Sequence, residues 1–165
     1  MIYCEPKTDD TILGEIGEVK SVFLLGCSLC ANISYCIHNK FQTPMYKGLE
    51  AAINVKREMK RLKQLLAERG IRSGSATLIS LCCISGKDVK KVIQKTEQYE
   101  ALATLSCEFG RRNTEEYLNG KHVVTTMENK GLMRTIVDQH GLTISFVKEK
   151  LYINNKKYCE QDSEL

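Results

Sequence analysis

The chain has 165 residues, 42% of them hydrophobic and 27% charged, enough for one domain with a core and too few for two large ones. No stretch approaches the roughly 20 apolar residues of a membrane span, and the opening MIYCEPKTDD does not read as a signal peptide, so a soluble, cytoplasmic protein is expected. A formal net charge of +4, 7% aromatic residues and no Trp offer no base-stacking platform, so neither a nucleic-acid nor a membrane partner is expected.

Residues 1–20 read as a leader helix packing on a sheet edge. SVFLLGC (21–27) is an apolar run of strand length, followed by a helix-like stretch from about Ala31. In 49–69, Ala52, Val55, Met59, Leu62 and Leu66 recur at helical spacing before Gly70. The basic KREMKRLK (56–63) within it reads as the solvated face of that helix. ATLISLCC (76–83) predicts a second strand near 76–81, and SGKDVKKVIQKTEQ a helix with Ser85 and Asp88 at capping-box spacing. ALATLSC (101–107) is a third strand, GRRNTEEYLNG (110–120) a short helix, and KHVVTTM (121–127) a fourth strand. NKGLMRTIVDQHG (129–141) predicts a helix ending at Gly141, and 142–157 a C-terminal β-hairpin.

Continuous apolar runs alternating with helices imply a parallel sheet covered on both faces. The expected fold is therefore a single α/β, Rossmann-like domain over 1–165. It has a mostly parallel sheet of about four strands, helices on both faces, and the C-terminal hairpin.

The turn GCSLCA (26–31) sits where a dinucleotide-binding fold would carry G-x-G-x-x-G, with cysteines in place of glycines. The chain holds eight cysteines, and in a reducing compartment clustered thiols point to metal or redox chemistry rather than disulfides. Cys27, the pair Cys82/Cys83 and Cys107 each fall at the carboxyl end of an expected strand. In a parallel sheet those ends share one rim, and Cys30 follows Cys27 at the spacing with which a turn grips one ion. Cys27, Cys30, Cys107 and one of Cys82 and Cys83 thus form a candidate four-thiolate site for zinc or an iron–sulfur cluster. Adjacent residues of a regular strand point to opposite faces, so only one of Cys82 and Cys83 is expected to face inward.

Two other readings stand beside it. Cys-x-x-Cys at a helix start also serves thiol–disulfide exchange, and a buried cysteine can be just a small apolar side chain. Cys4 and Cys159 fall in the leader and tail and are not expected to be essential. His38 is a reserve ligand or, more plainly, a solvated helix residue. His122 and His140 are scattered. Glu108 can tune the site or face solvent, and Arg111 and Arg112 can hold an acidic partner or lie solvated on their helix. SGKD (85–88) lacks the first glycine of a phosphate loop, because Leu81 stands in its place.

EPKTDDTILGEIGEVKSVFLLGCSLCA resembles the start of the cysteine-rich C-terminal domain of methylenetetrahydrofolate reductases, in some anaerobes a separate subunit. Gly26, Cys27 and Cys30 match its Gly-Cys-x-x-Cys, and TLSCEFG, with Cys107 and Gly110, is similar to its later strand-plus-cysteine motif. GKHVVTTMENKG is similar to its next strand and turn. The chain departs from that pattern in CIHNKFQTPMYKG, where a Gly-Gly pair is common, and at Glu108. The resemblance implies a non-catalytic accessory protein that binds zinc or an iron–sulfur cluster. Its partner would be the flavin-dependent methylenetetrahydrofolate reductase catalytic subunit or a related redox protein in one-carbon metabolism. The alternative is a stand-alone thiol–disulfide or thiol-transfer enzyme using Cys27 and Cys30.

Overall fold

The computed structural model describes residues 2–39, 52–79, 81, 91–92, 94–118, 120–132, 135–137, 144–146, 152–153 and 156–157. In chain order these form β1 (Ile2–Pro6), α1 (Asp9–Ile16), β2 (Ser21–Cys27), α2 (Cys30–His38), α3 (Ile53–Glu68), β3 (Arg72–Leu78), β4 (Ala101–Leu105), α4 (Glu108–Tyr117), β5 (His122–Thr125) and β6 (Met127–Leu132). Short strands β7 (Thr135–Val137), β8 (Ile144–Phe146), β9 (Tyr152–Ile153) and β10 (Lys156–Lys157) follow.

Strands β2 to β5 make the expected parallel sheet, in the order β3-β2-β4-β5, flanked by helices. The two central strands, β2 and β4, are buried along their whole length, as their unbroken apolar runs require. Leu24, Leu25, Leu102 and Leu105 lie in the core, where truncating one to Ala costs about 2–5 kcal/mol.

Strand β3 begins at Arg72, earlier than the apolar run at 76–81 suggests, because it is a half-exposed edge. Gly74 leaves room there for Tyr99, whose ring packs on Phe23 with centroids 5.2 Å apart. The Arg72 guanidinium lies 5.0 Å over the same Tyr99 ring, a cation–π contact that covers the edge.

Helix α3 buries Val55, Met59, Leu62 and Leu66, four of the five residues in the periodic pattern at 49–69. Its start is unusual. The N-cap, Ala52, sits in the left-handed region (φ 50) and makes no side-chain cap bond. The cap comes instead from α2, where Asn32 Oδ1 accepts the backbone N–H groups of Asn54 (3.1 Å) and Val55 (3.2 Å). A carbonyl oxygen buried between two helices thereby satisfies two of α3's orphan donors.

The leader holds a helix as expected, with Thr8 capping it and acidic Asp9 and Asp10 in its first turn. It packs on the β5 edge, and His122 Nε2 lies 2.7 Å from the Glu15 carbonyl oxygen. Ahead of it stands β1, which pairs antiparallel with β6.

That pairing corrects the helix expected over 129–141. Residues 127–132 and 135–137 are strand. The apolar spacing there suits either period over so short a span, and β1 supplies the backbone partners that settle it. In place of one hairpin joining the two halves of 142–157, β8 pairs antiparallel with β7, upstream of that range, and β9 with β10. The helix expected from Ser85 falls largely outside the described residues; 91–92 and 94–96 are helical. Among the described residues no helix is long and apolar enough to cross a membrane.

Candidate functional site

The chain passes from β2 to β3 on one side and then crosses back to β4 on the other. The carboxyl ends of β2 and β4 therefore flank the point where strand order reverses, which is where open α/β sheets hold their ligands. Three of the sequence-predicted cysteines stand around that point. Cys27 is the last residue of β2, Cys30 the first of α2, and Cys107 the N-cap position of α4. All three are buried and none is in a disulfide.

Local backbone geometry fixes the two turns. Ser28 N–H donates to the Leu78 carbonyl at 2.8 Å, tying the Cys27–Cys30 turn to the end of β3. Cys27 Sγ lies 4.0 Å from the Ile79 carbonyl oxygen. Arg111 N–H donates to the Cys107 carbonyl at 3.1 Å, closing the first turn of α4. Gly26, which opens the motif, serves packing rather than a phosphate. A Cβ there would run into Val55 Cγ1 and stand 2.9 Å from Met59 Sδ, so the glycine lets α3 close on β2.

Cys82 and Cys83 lie outside the described residues. Their neighbour Leu81 is fully buried, its carbonyl accepts from Asn113 Nδ2 of α4 at 2.7 Å, and its Cβ stands 3.0 Å from where a side chain on Gly110 would begin.

The structure also ties Cys4, on β1, to α2 and to the start of α4. Its thiol is buried in β1, donates to Asn129 Oδ1 at 3.3 Å, and its backbone N–H donates to Ser34 Oγ on α2 at 3.1 Å. Asn129 Oδ1 also accepts the Glu108 N–H at 3.1 Å, beside Cys107. Burial holds the Cys4 thiol far above the ordinary thiol range, and negative charge on Cys107, Cys30 or Cys27 would push it the same way. Nothing in the local sequence marks Cys4, because a strand pairing across 125 residues brings it there.

The other polar residues singled out have different occupations. Glu108 is held by Arg111 (2.8 Å) and Arg112 (3.1 Å), and the Arg111 hydrogen bond keeps its carboxyl below the usual range. Both arginines are thus paired within α4 rather than held open for an acidic partner. His38 is exposed at the far end of α2, about 12 Å along the helix from Cys30. His122 lies on β5 against α1, and His140 falls outside the described residues. A cleft of about 310 Å³ opens beside Glu108, and two of its charged pairs, Lys7–Glu15 (2.6 Å) and Arg111–Glu108 (2.8 Å), are closed within it.

Buried thiols around a switch crevice match the soft donors that zinc and iron–sulfur clusters take. Among the described residues, however, no group of three or more His, Cys, Asp or Glu stands close enough to hold one metal ion. No protein-family model matches the chain, and no curated protein or solved structure matches it either.

Proposed function

We propose that this chain is a non-catalytic accessory protein that carries a soft metal centre at the carboxyl rim of its sheet and acts through a redox partner. The observation behind this reading is the gathering of Cys27, Cys30 and Cys107 at the strand-order switch. Those three residues would hold the group, with Cys82 or Cys83 as the fourth ligand suggested by the sequence. Zinc would contribute folding free energy there, and an iron–sulfur cluster would carry one electron at a time.

A partner is part of the reading because chemistry beyond sulfur is sparse among the described residues of this rim. Glu108 is neutralised by two arginines, and His38 is remote. Large apolar side chains stand exposed beside the ends of three strands: Leu29 (37%), Ile79 (83%) and Phe109 (62%). Such a rim suits docking to another protein. The resemblance to the cysteine-rich domain of methylenetetrahydrofolate reductases names the class, a flavin-dependent catalytic subunit in one-carbon metabolism.

The test is to purify the full chain without oxygen and measure iron, acid-labile sulfide and zinc per chain. Bound metal that Cys27→Ser and Cys107→Ser both lose supports the reading. Metal-free protein that turns over disulfides, and stops doing so in Cys30→Ser, would replace it with a thiol–disulfide enzyme.

A further inference from the structure

The cleft of about 310 Å³ lies along β5, with His122–Thr125 in its lining together with Lys7, Glu15, Glu108 and Arg111. We propose that it takes an extended, basic segment of a partner protein as a fifth strand of the β3-β2-β4-β5 sheet. This surface uses no cysteine and stands apart from the metal-centre reading above.

The floor of the cleft is a sheet edge. Among the described residues only β4 pairs with β5. The Thr126 N–H donates to the Thr104 carbonyl at 2.9 Å, so the backbone groups of Thr126 and, two residues earlier, Val124 turn toward β4. Those of Val123 and Thr125 turn the other way, toward the cleft. The Val123 carbonyl has Arg111 Nη1 at 3.4 Å, long for such a bond, and a peptide N–H can take its place. An edge with outward N–H and C=O groups is a template for one more strand.

Helices wall the cleft on both faces of the sheet. Helix α1 stands on the side of α3, to which Asp9 and Arg61 tie it at 2.8 Å. The steps from β2 to β3 and from β4 to β5 run in opposite directions across the sheet. Right-handed connections therefore put α3 and α4 on opposite faces. His122 Nε2, 2.7 Å from the Glu15 carbonyl oxygen, holds α1 against the strand.

Each wall carries one ion pair, Lys7–Glu15 at 2.6 Å and Arg111–Glu108 at 2.8 Å. In both, the carboxylate is the more exposed member: 40% for Glu15 against 17% for Lys7, and 36% for Glu108 against 20% for Arg111. A chain entering from solvent thus meets negative charge on each wall. Arg112 also reaches Glu108 but is not part of the lining. Basic side chains complement this arrangement, and the strand sets their spacing. Neighbouring residues of a strand point to opposite faces, so two adjacent basic residues would reach Glu15 and Glu108, one on each wall. Basic residues at i and i+2 would crowd a single wall.

The test is fluorescence anisotropy of the full chain with a blocked, dye-labelled peptide of Val and Thr that carries one Lys-Lys step. Compared with it are a peptide with Glu-Glu at that step and one with the two lysines separated by a single Val. Two more are N-methylated at alternate backbone nitrogens, in one phase and in the other. The Lys-Lys peptide is expected to bind about ten-fold or more tighter than the Glu-Glu one, and tighter than the spaced one. One N-methyl phase should lose binding, because it removes the N–H groups that face β5, while the other keeps it. Glu15→Gln and Glu108→Gln should each weaken binding about two- to five-fold, the worth of an exposed ion pair. Val123→Pro removes an outward N–H and leaves the ladder to β4 intact, so it should abolish binding. Circular dichroism and melting check its fold, and the N-methyl pair decides the matter if it does not fold.

Wild type that binds none of the peptides overturns the proposal. So does equal binding of the Lys-Lys and Glu-Glu peptides, or an equal response to both N-methyl phases. A dimer of the free chain that the peptide dissociates gives the cleft to a second copy and overturns it as well.

Discussion

Cys4 and Asn129 face each other across an antiparallel strand pair at the step where its register slips, with Sγ 3.3 Å from Oδ1. The same amide oxygen caps α4 by accepting the Glu108 N–H. Asn129 therefore supports the N-terminal ribbon and the helix after Cys107 together. Asn129→Ala should lower unfolding free energy by about 1 kcal/mol, the cost of a lost cap at a partly solvated site. Urea denaturation of the metal-free protein measures it, and an unchanged midpoint would mean that solvent replaces the amide at no cost.

A larger loss is expected at Asn32. Its oxygen accepts two backbone N–H groups at the start of α3, deep between helices. Asn32→Ala leaves both donors buried without that acceptor, which costs about 2–3 kcal/mol. Amide exchange at Asn54 and Val55 should accelerate well beyond the global change, because the first turn of α3 loses its cap.

Gly26→Ala tests close approach. The added methyl would meet Val55 Cγ1 directly and Met59 Sδ at 2.9 Å, and overpacking of this kind costs about 1–3 kcal/mol. The double variant Gly26→Ala with Val55→Ala should recover part of that loss. Thermal melts of both forms decide the matter, and a double variant no more stable than Gly26→Ala would place the strain elsewhere.

The pH dependence of one ion pair has a definite sign. Arg61 forks onto both oxygens of Asp9 at 2.8 Å, joining α1 to α3, and holds that carboxyl below its usual range. A lowered folded pKa means the contribution is present at neutral pH and fades as pH falls through that lowered value. Both side chains are more than two-fifths exposed, so it amounts to less than about 1 kcal/mol. Asp9→Asn should be slightly less stable than wild type at neutral pH. The gap should close as pH falls through that lowered value and Asp9 becomes neutral.

What the sequence revealed, and what it hid, follows from the range of the forces involved. Buried central strands announce themselves locally, so SVFLLGC and ALATLSC mapped onto β2 and β4 closely, and with them the positions of Cys27, Cys30 and Cys107. The periodic residues of α3 did the same. Strand β3 was placed late because an edge strand needs no apolar run, and RSGSATL carries none. Residues 129–132 read as the start of a helix because their strand character depends on β1, more than a hundred residues away. Cys4 was hidden for the same reason. Its place at the rim is a property of that pairing, and no local window contains both partners.

The β1–β6 pair also dictates an order of events during synthesis. Ile2 finds its partner at Leu132, whereas the last strand of the parallel sheet ends at Thr125. Contacts so distant in sequence form late. A chain emerging from the ribosome can assemble the sheet, and with it the turns that carry Cys27, Cys30 and Cys107, while its first strand still waits. Until Met127–Leu132 follows, Cys4 lacks Asn129, its partner across the pair. The ties that this ribbon makes to Ser34 on α2 and to Glu108 on α4 therefore close last, after the sheet they brace is already built.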